Sequence, residues 1–151
     1  MRILLIQGAN MEWLGNRQPE LYGTTTAAEL DAIMLAEAER LGVELEIAYT
    51  NVEGIAIDRV YKAARDRVDG LLMNPAGFLY SGYALRDCLR GVRLPYVEVH
   101  MTNIERRGMH SVLAGEADGL VVGLGLDSYR FGLEALARLI AQRASTGSKT
   151  P

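Results

Sequence analysis

Five short apolar runs are spaced along the chain, and they predict β-strands. They lie at residues 3–6, 43–49, 70–73, 96–99 and 119–122. Most of them are almost continuously apolar, which is typical of strands buried on both faces of a sheet. The run at 43–49 alternates more, and this favours a strand nearer the edge of the sheet.

Four further stretches carry apolar residues at helical spacing. The first begins at Thr26-Ala27-Ala28-Glu29, a capping box in which the Thr26 hydroxyl and the Glu29 carboxylate each satisfy a free amide. Its apolar positions continue to Leu41, and Gly42 is a favourable residue to end the helix. The other predicted helices lie at residues 55–68, 82–89 and 127–141.

The resulting order, β-α-β-α-β-α-β-β-α, predicts an α/β fold with helices on both faces of a parallel sheet. We expect a flavodoxin-like three-layer sandwich with a five-stranded parallel sheet, in a single domain over residues 1–151. The small and polar residues 144–151 are expected to form a flexible tail. Ligands of such folds bind just beyond the carboxyl ends of the strands.

Composition narrows the classes of function. The 151 residues carry a net charge of −3, so no basic face for nucleic acid is expected. No apolar run approaches the roughly 18 residues of a membrane span, so no membrane partner is expected. Cys88 is the only cysteine, which indicates a reducing compartment and a cytoplasmic location. The two histidines and this cysteine have no metal-binding spacing, and we predict no metal.

Polar residues follow three of the predicted strands. Asn10 comes after the first, at the start of a long segment to Gly23 that also holds Arg17 and Tyr22. Asn74 follows the third strand, and the fourth ends in Glu98-Val99-His100. Long loops in compact domains are often functional, so we expect a polar site at this edge of the sheet.

The residue types at this edge fit acid–base chemistry. Glu98 and His100 are two apart, so both point to the same face of a strand, and the carboxylate would fix the tautomer of the imidazole and favour its protonated form. His100 is therefore a candidate general acid. The Arg17 guanidinium would stabilise a Tyr22 phenolate, which makes Tyr22 a candidate base. This pair suits proton abstraction with loss of water.

Each of these residues also has an explanation without function. His100 could be a satisfied histidine at a strand end, Tyr22 a packing residue and Arg17 a solvated charge. Asn10 and Asn74 could be turn formers. The convergence of all of them at one edge of the sheet favours the functional interpretation.

Several motifs, taken together, resemble those of type II 3-dehydroquinate dehydratase. They stand in the order and spacing of that family from about residue 3 to residue 143. They comprise Asn10, Arg17, Pro19, Tyr22-Gly23, Asn51-Val52-Glu53-Gly54, Asn74, Ala84-Leu85-Arg86-Asp87, Glu98-Val99-His100 and Gly123-Leu124-Gly125.

The resemblance implies a role for each catalytic candidate. Tyr22, activated by Arg17, would remove a proton beside the ketone of 3-dehydroquinate, and Asn10 would hold the enolate through a water. His100, oriented by Glu98, would protonate the departing hydroxyl.

The resemblance also implies how the substrate, a cyclic polyol ketone, is held. Asn74 and the backbone amides of Met101 and Thr102 would bind its hydroxyl and carboxylate groups. Asp87 would reach into the site of a neighbouring subunit in a dodecamer built from four trimers. No cofactor would be needed.

Departures from the family pattern concentrate around the substrate pocket. Pro75 removes an amide donor, and Tyr80 stands where the family has a substrate-binding histidine. The segment after Asn103 is about three residues shorter, so a substrate-binding arginine aligns with Gly108, although Arg106 and Arg107 are nearby. We include Tyr80 and Arg107 among the predicted substrate-binding residues.

Three hypotheses follow from these residues. The chain is a 3-dehydroquinate dehydratase with tolerated substitutions, a relative that acts on a different cyclic ketone, or a catalytically silent oligomeric binding protein.

Overall fold

The fold is built on a five-stranded parallel sheet, seen in a computed structural model that describes residues 1–147. The strand order is β2-β1-β3-β4-β5, which is the flavodoxin-like order, and the predicted fold is confirmed. The strands are β1 (Arg2–Ala9), β2 (Glu44–Tyr49), β3 (Gly70–Ala76), β4 (Tyr96–His100) and β5 (Gly119–Val122). The alternating strand β2 does lie at an edge.

Helices cover both faces of this sheet and complete the three layers. They are α1 (Pro19–Tyr22), α2 (Ala27–Leu41), α3 (Glu53–Arg65), α4 (Tyr83–Val92) and α5 (Asp127–Ser145). Side chains of α2 and α5 pack on one face of the sheet, and those of α3 and α4 pack on the other. Each central strand therefore buries apolar residues on both sides, which explains its continuous apolar pattern.

Three helices end at residues other than the predicted ones. Helix α4 continues to Val92 rather than stopping at residue 89. Helix α3 stops at Arg65 rather than near Val68, and Arg67 then adopts a left-handed backbone with φ of 56° that ends the helical path. Helix α5 continues to Ser145, so the first residues of the predicted tail are helical. Residues 148–151 of that predicted tail lie outside the described residues.

The long segment after β1 is more structured than the predicted loop. It contains a 3₁₀ turn at Met11–Trp13 and the single helical turn α1. Pro19 takes the first position of α1, where its fixed φ suits a helix and its missing amide hydrogen costs nothing. Tyr22 is the last residue of this turn.

A close approach of β1 and β3 sets the edge at which the polar residues lie. A Cβ atom added at Gly8 would lie 2.1 Å from the carbonyl oxygen of Pro75. Only glycine allows this approach, and the pairing of Ala9 with Ala76 continues beyond it. Asn10 and Asn74 consequently meet at the same end of the sheet. Within the described part of the chain, no helix has the length and apolar character needed to cross a membrane.

Candidate active site

A cavity opens at the carboxyl ends of β1, β3 and β4. Every predicted site residue except Glu98 and Asp87 lines it, namely Asn10, Arg17, Tyr22, Asn74, Tyr80, His100, Met101, Thr102 and Arg107. These residues lie at or after the carboxyl ends of three different strands, so their convergence is a product of the fold.

Two guanidinium groups contact the phenol of Tyr22. Arg107 Nη1 donates a hydrogen bond to the phenolic oxygen over 3.0 Å. Arg17 lies over the ring, with its guanidinium carbon 5.1 Å from the ring centroid. Tyr22 therefore has one positive charge at its phenolic oxygen and a second over its ring.

The structure distinguishes between the two neighbouring arginines. Arg107 ends a 3₁₀ turn at Glu105–Arg107, and Gly108 follows in a left-handed conformation with φ of 69°. Arg107 lines the cavity, and its Nη1 also donates to Thr102 Oγ1 over 3.0 Å, whereas Arg106 is exposed. Thr102 thus holds the guanidinium against Tyr22.

His100 is held from behind by Glu98, as the spacing predicted. His100 Nε2 lies 2.6 Å from Glu98 Oε1, and both side chains are buried. The second carboxylate oxygen, Oε2, accepts a 2.7 Å hydrogen bond from the Tyr96 hydroxyl. Glu98 does not line the cavity. Because Glu98 contacts Nε2, Nδ1 is the ring nitrogen of His100 that is available to a ligand.

Asn74 belongs to a buried polar network. Its Nδ2 donates to the Tyr129 hydroxyl over 2.8 Å, and that hydroxyl donates to Gln7 Oε1 over 2.7 Å. Its Oδ1 accepts from the backbone amide of Ala76 over 3.0 Å, in a tight turn where Ala76 has φ of 45°. The carboxamide therefore has a fixed orientation at the cavity wall.

Asn10 stands in a left-handed conformation with φ of 76°, which asparagine tolerates better than most residues. Its backbone amide donates to Asn51 Oδ1 over 2.8 Å, and Asn51 Nδ2 donates to Glu12 over 2.5 Å. These contacts fix the turn after β1. The Asn10 contact uses the backbone amide, so the Asn10 side chain stays available to the cavity.

Apolar residues also line the cavity. Tyr80 is 63% exposed at the rim of the cavity, and its hydroxyl lies 3.8 Å from Met109 Sδ. The remaining lining residues include Met11, Leu14, Leu79 and Ile104. The cavity is thus lined by both apolar side chains and polar or charged ones, as small-molecule sites commonly are.

Asp87 lies elsewhere. It is exposed on α4, in a shallow concavity that it shares with Tyr83, Arg86 and Arg90. Within one chain it makes no part of the cavity that holds Tyr22 and His100.

Sequence reasoning missed the residues that support the site. Tyr129 lies on the same helical face as Leu133 and Leu136, so the spacing indicated burial but not a polar role. Gln7 is a polar residue within β1 and is wholly buried. A polar residue in a buried strand indicates a hydrogen-bond partner inside the protein, because a buried amide requires one. Among the described residues, no three His, Cys, Asp or Glu side chains come together as metal ligands do.

The cavity therefore places a phenol contacted by two guanidinium groups beside an imidazole backed by a carboxylate. The phenolate is a base and the imidazolium is an acid, so the two can remove and deliver a proton on one bound molecule. Fold and site together define a flavodoxin-like α/β enzyme of the hydro-lyase class.

The comparisons with known proteins agree with this class. The family described as dehydroquinase class II matches residues 1–137, so the chain belongs to the class II dehydroquinase family. It is 44% identical over 147 residues to 3-dehydroquinate dehydratase of Gloeobacter violaceus, covering 95% of this chain and 91% of that protein.

Two further relatives extend the comparison. Catabolic 3-dehydroquinase 1 of Aspergillus terreus is 44% identical over 138 residues, 89% of this chain and 90% of that protein. The crystal structure of type II dehydroquinase from Butyrivibrio crossotus superposes with a TM-score of 0.86 at 32% identity, covering 90% of this chain and 97% of that one.

Proposed function

We propose that the protein dehydrates 3-dehydroquinate to 3-dehydroshikimate through an enolate, by a trans elimination. One observation carries the proposal: Tyr22, contacted by two guanidinium groups, and His100, backed by Glu98, face the same cavity. The membership of the chain in the class II dehydroquinase family supports the choice of substrate.

In the first step, the Tyr22 phenolate removes a proton from the carbon beside the substrate ketone. The electron pair of that C–H bond moves to the ketone oxygen and gives an enolate. Arg107 donates a hydrogen bond to the phenolic oxygen and Arg17 lies over the ring, so two positive charges lie against the base. Asn10 holds the enolate oxygen through a bound water.

In the second step, the enolate electrons return and the C–O bond to the departing hydroxyl breaks. His100 delivers its proton to that hydroxyl, which leaves as water. Glu98 orients the ring and stabilises the imidazolium, because its carboxylate contacts Nε2. The product gains a carbon–carbon double bond conjugated with the ketone.

Substrate binding uses the fixed groups around these two residues. Asn74, held by Tyr129, and the backbone amides of Met101 and Thr102 bind the hydroxyl and carboxylate groups. Tyr80 lies at the rim of the cavity. Arg107 contacts both Tyr22 and Thr102, so we assign it chiefly to Tyr22 rather than to the substrate.

The reaction is followed by the ultraviolet absorbance of the conjugated enone that forms from 3-dehydroquinate. We expect the absorbance to rise with the wild-type protein. A Tyr22→Phe variant, which keeps the ring but lacks the base, should lose activity by roughly 10²- to 10⁴-fold. A folded wild-type protein that gives no rise would contradict the proposal.

The two other hypotheses are not favoured. Relatives at 42–44% identity carry the name 3-dehydroquinate dehydratase or catabolic 3-dehydroquinase, which argues against a different ketone. The joint presence of Tyr22, Arg17 and His100 in one cavity argues against a silent binding protein.

We also propose a cytoplasmic homo-oligomer, a dodecamer in which Asp87 completes the site of a neighbouring subunit. The exposure of Asp87 away from the cavity of its own chain is consistent with such a role. Sedimentation velocity of the purified protein tests the oligomer, and a monomer at working concentration would contradict it.

A further inference from the structure

Three polar side chains form a continuous hydrogen-bonded line along β4. Tyr96, Glu98 and His100 are spaced two apart, so all three lie on one face of the strand. The Tyr96 hydroxyl donates to Glu98 Oε2 over 2.7 Å, and Glu98 Oε1 lies 2.6 Å from His100 Nε2. The mechanism above uses only two members of this line.

Glu98 needs both of its partners because it is fully buried, with 0% of its surface exposed. A carboxylate without solvent is stable only when its oxygens accept hydrogen bonds or face a positive charge. His100 satisfies Oε1, and Tyr96 is the donor that the structure shows for Oε2. Tyr96 is itself 1% exposed, so water does not compete with its hydroxyl.

We propose that Tyr96 is a positioning residue of the active site, which satisfies the second carboxylate oxygen of Glu98 and fixes its orientation so that Glu98 can hold His100 as the proton donor. Tyr96 does not touch the substrate, and it acts through Glu98 alone. The inference rests on the proposed dehydratase function for its effect on catalysis.

The surroundings of Tyr96 support a donor role. Burial, first, and the neighbouring Glu98 charge both raise the pKa of the Tyr96 phenol well above its usual range, so the phenol keeps its proton. Cys88 belongs to the same apolar cluster as Tyr96, and burial raises the pKa of its thiol, which leaves it neutral. Neither group can replace Glu98 as the charge on this face.

Other groups pair with β4 or lie beside His100 in the cavity. Met73 of β3 and Leu120 of β5 pair with Glu98 in the sheet, and both are uncharged. Asp118 accepts from the backbone amide of Tyr96 over 2.9 Å and also binds Arg143. The cavity contributes the charged or titratable side chains Arg17, Tyr22, Tyr80 and Arg107 beside His100.

A Tyr96→Phe variant tests the proposal, because it keeps the buried ring and removes only the hydroxyl. We expect kcat to fall roughly tenfold with a smaller change in KM, as for the loss of one hydrogen bond to a charged group. Without this donor, the buried carboxylate of Glu98 depends more strongly on the proton that it shares with His100. The Glu98–His100 pair therefore retains that proton to higher pH. The alkaline limb of the pH profile of kcat should therefore move to higher pH.

Tyr49→Phe is the matched control. The Tyr49 hydroxyl also donates to a carboxylate, Asp31 Oδ1, over 2.7 Å, but Tyr49 belongs to the edge strand β2 and does not line the cavity. We expect this variant to lose some thermal stability and to keep the wild-type pH profile. Equal shifts in both variants would assign the effect to packing and overturn the proposal.

A double-mutant cycle tests whether Tyr96 acts through Glu98. Adding Tyr96→Phe to a Glu98→Gln variant should lower kcat less than twofold further, because the charge that Tyr96 serves is already gone. A second, independent loss of about tenfold would overturn the proposal.

A readout without turnover separates this inference from the proposed function. In a His110→Gln background, His100 is the only histidine, and its ring signals are followed by NMR across pH. Tyr96→Phe should move the midpoint of those signals to higher pH, even if 3-dehydroquinate is not the substrate. An unchanged midpoint and an unchanged kcat, in a variant that melts like the wild type, would refute the role of Tyr96.

Discussion

Arg107 donates a hydrogen bond to the phenolic oxygen of Tyr22 over 3.0 Å, although the two residues are 85 positions apart in the chain. Sequence reasoning expected Arg17 to be the cation beside this phenol. Arg17 is there, but it lies over the ring face rather than at the oxygen. The charge that most directly stabilises the phenolate oxygen therefore comes from Arg107.

An Arg107→Leu variant should lose at least tenfold in kcat, because the phenolate loses a hydrogen bond from a charged donor. Steady-state kinetics with 3-dehydroquinate measures the loss.

Arg106→Leu is the control for that experiment. Arg106 is adjacent and exposed, and it does not line the cavity. We expect wild-type kinetics from this variant. Comparable losses in the two variants would mean that Arg107 acts through net charge and not through its contact with Tyr22.

Gly8→Ala should be strongly destabilising. The added methyl would lie 2.1 Å from the Pro75 carbonyl oxygen, so β1 and β3 must separate at the edge that carries Asn10 and Asn74. We expect a loss of about 2 kcal/mol or more in the free energy of unfolding, together with reduced activity. Urea denaturation measures the loss.

Gly91→Ala, near the end of α4, is the control for Gly8→Ala. A Cβ atom there meets nothing within 4 Å, so the variant should be neutral or more stable by about 0.5–1 kcal/mol. If Gly8→Ala were as harmless as Gly91→Ala, the close approach of the two strands would not exist in solution.

Thr26→Ala should cost about 1 kcal/mol of stability, the usual value for losing a helix N-cap. The Thr26 hydroxyl accepts from the Glu29 amide, and the Glu29 carboxylate accepts from the Thr26 amide. The hydrogen bonds from Thr26, the backbone amide first, lower the pKa of Glu29. The stability that Glu29 adds through these hydrogen bonds is present above the ordinary pKa of glutamate and is lost as the pH falls through the lowered pKa of Glu29 in the folded protein. The loss of stability in Thr26→Ala should therefore be smaller in acid.

The neighbouring Thr24→Ala is the control, since Thr24 is exposed and precedes the cap. Thermal melts of both variants at neutral and acid pH measure the loss of stability in each. A penalty for Thr26→Ala that matched Thr24→Ala at every pH would show that the capping box contributes nothing.

The strands and the capping box could be predicted because their signals are local. Continuous apolar runs mark the central strands, and Thr26 with Glu29 marks the start of α2. The Glu98–His100 contact was predictable for the same reason, because alternate residues of a strand share a face.

The remaining contacts depend on how distant segments meet. Spacing alone cannot decide whether Arg106 or Arg107 turns inward, because the answer depends on the 3₁₀ turn that ends at Gly108. Likewise, Tyr129 meets Gln7 across 122 positions, and no local pattern connects them.

The assignment of Tyr22 as the base and His100 as the acid is tested most directly by hydrogen exchange of 3-dehydroquinate in D₂O. A His100→Asn variant retains the base, so we expect deuterium to enter at the carbon beside the ketone while little enone forms. Tyr22→Phe should show no exchange above the background without protein. Exchange by Tyr22→Phe at the rate of His100→Asn would mean that Tyr22 is not the base, and would contradict the mechanism.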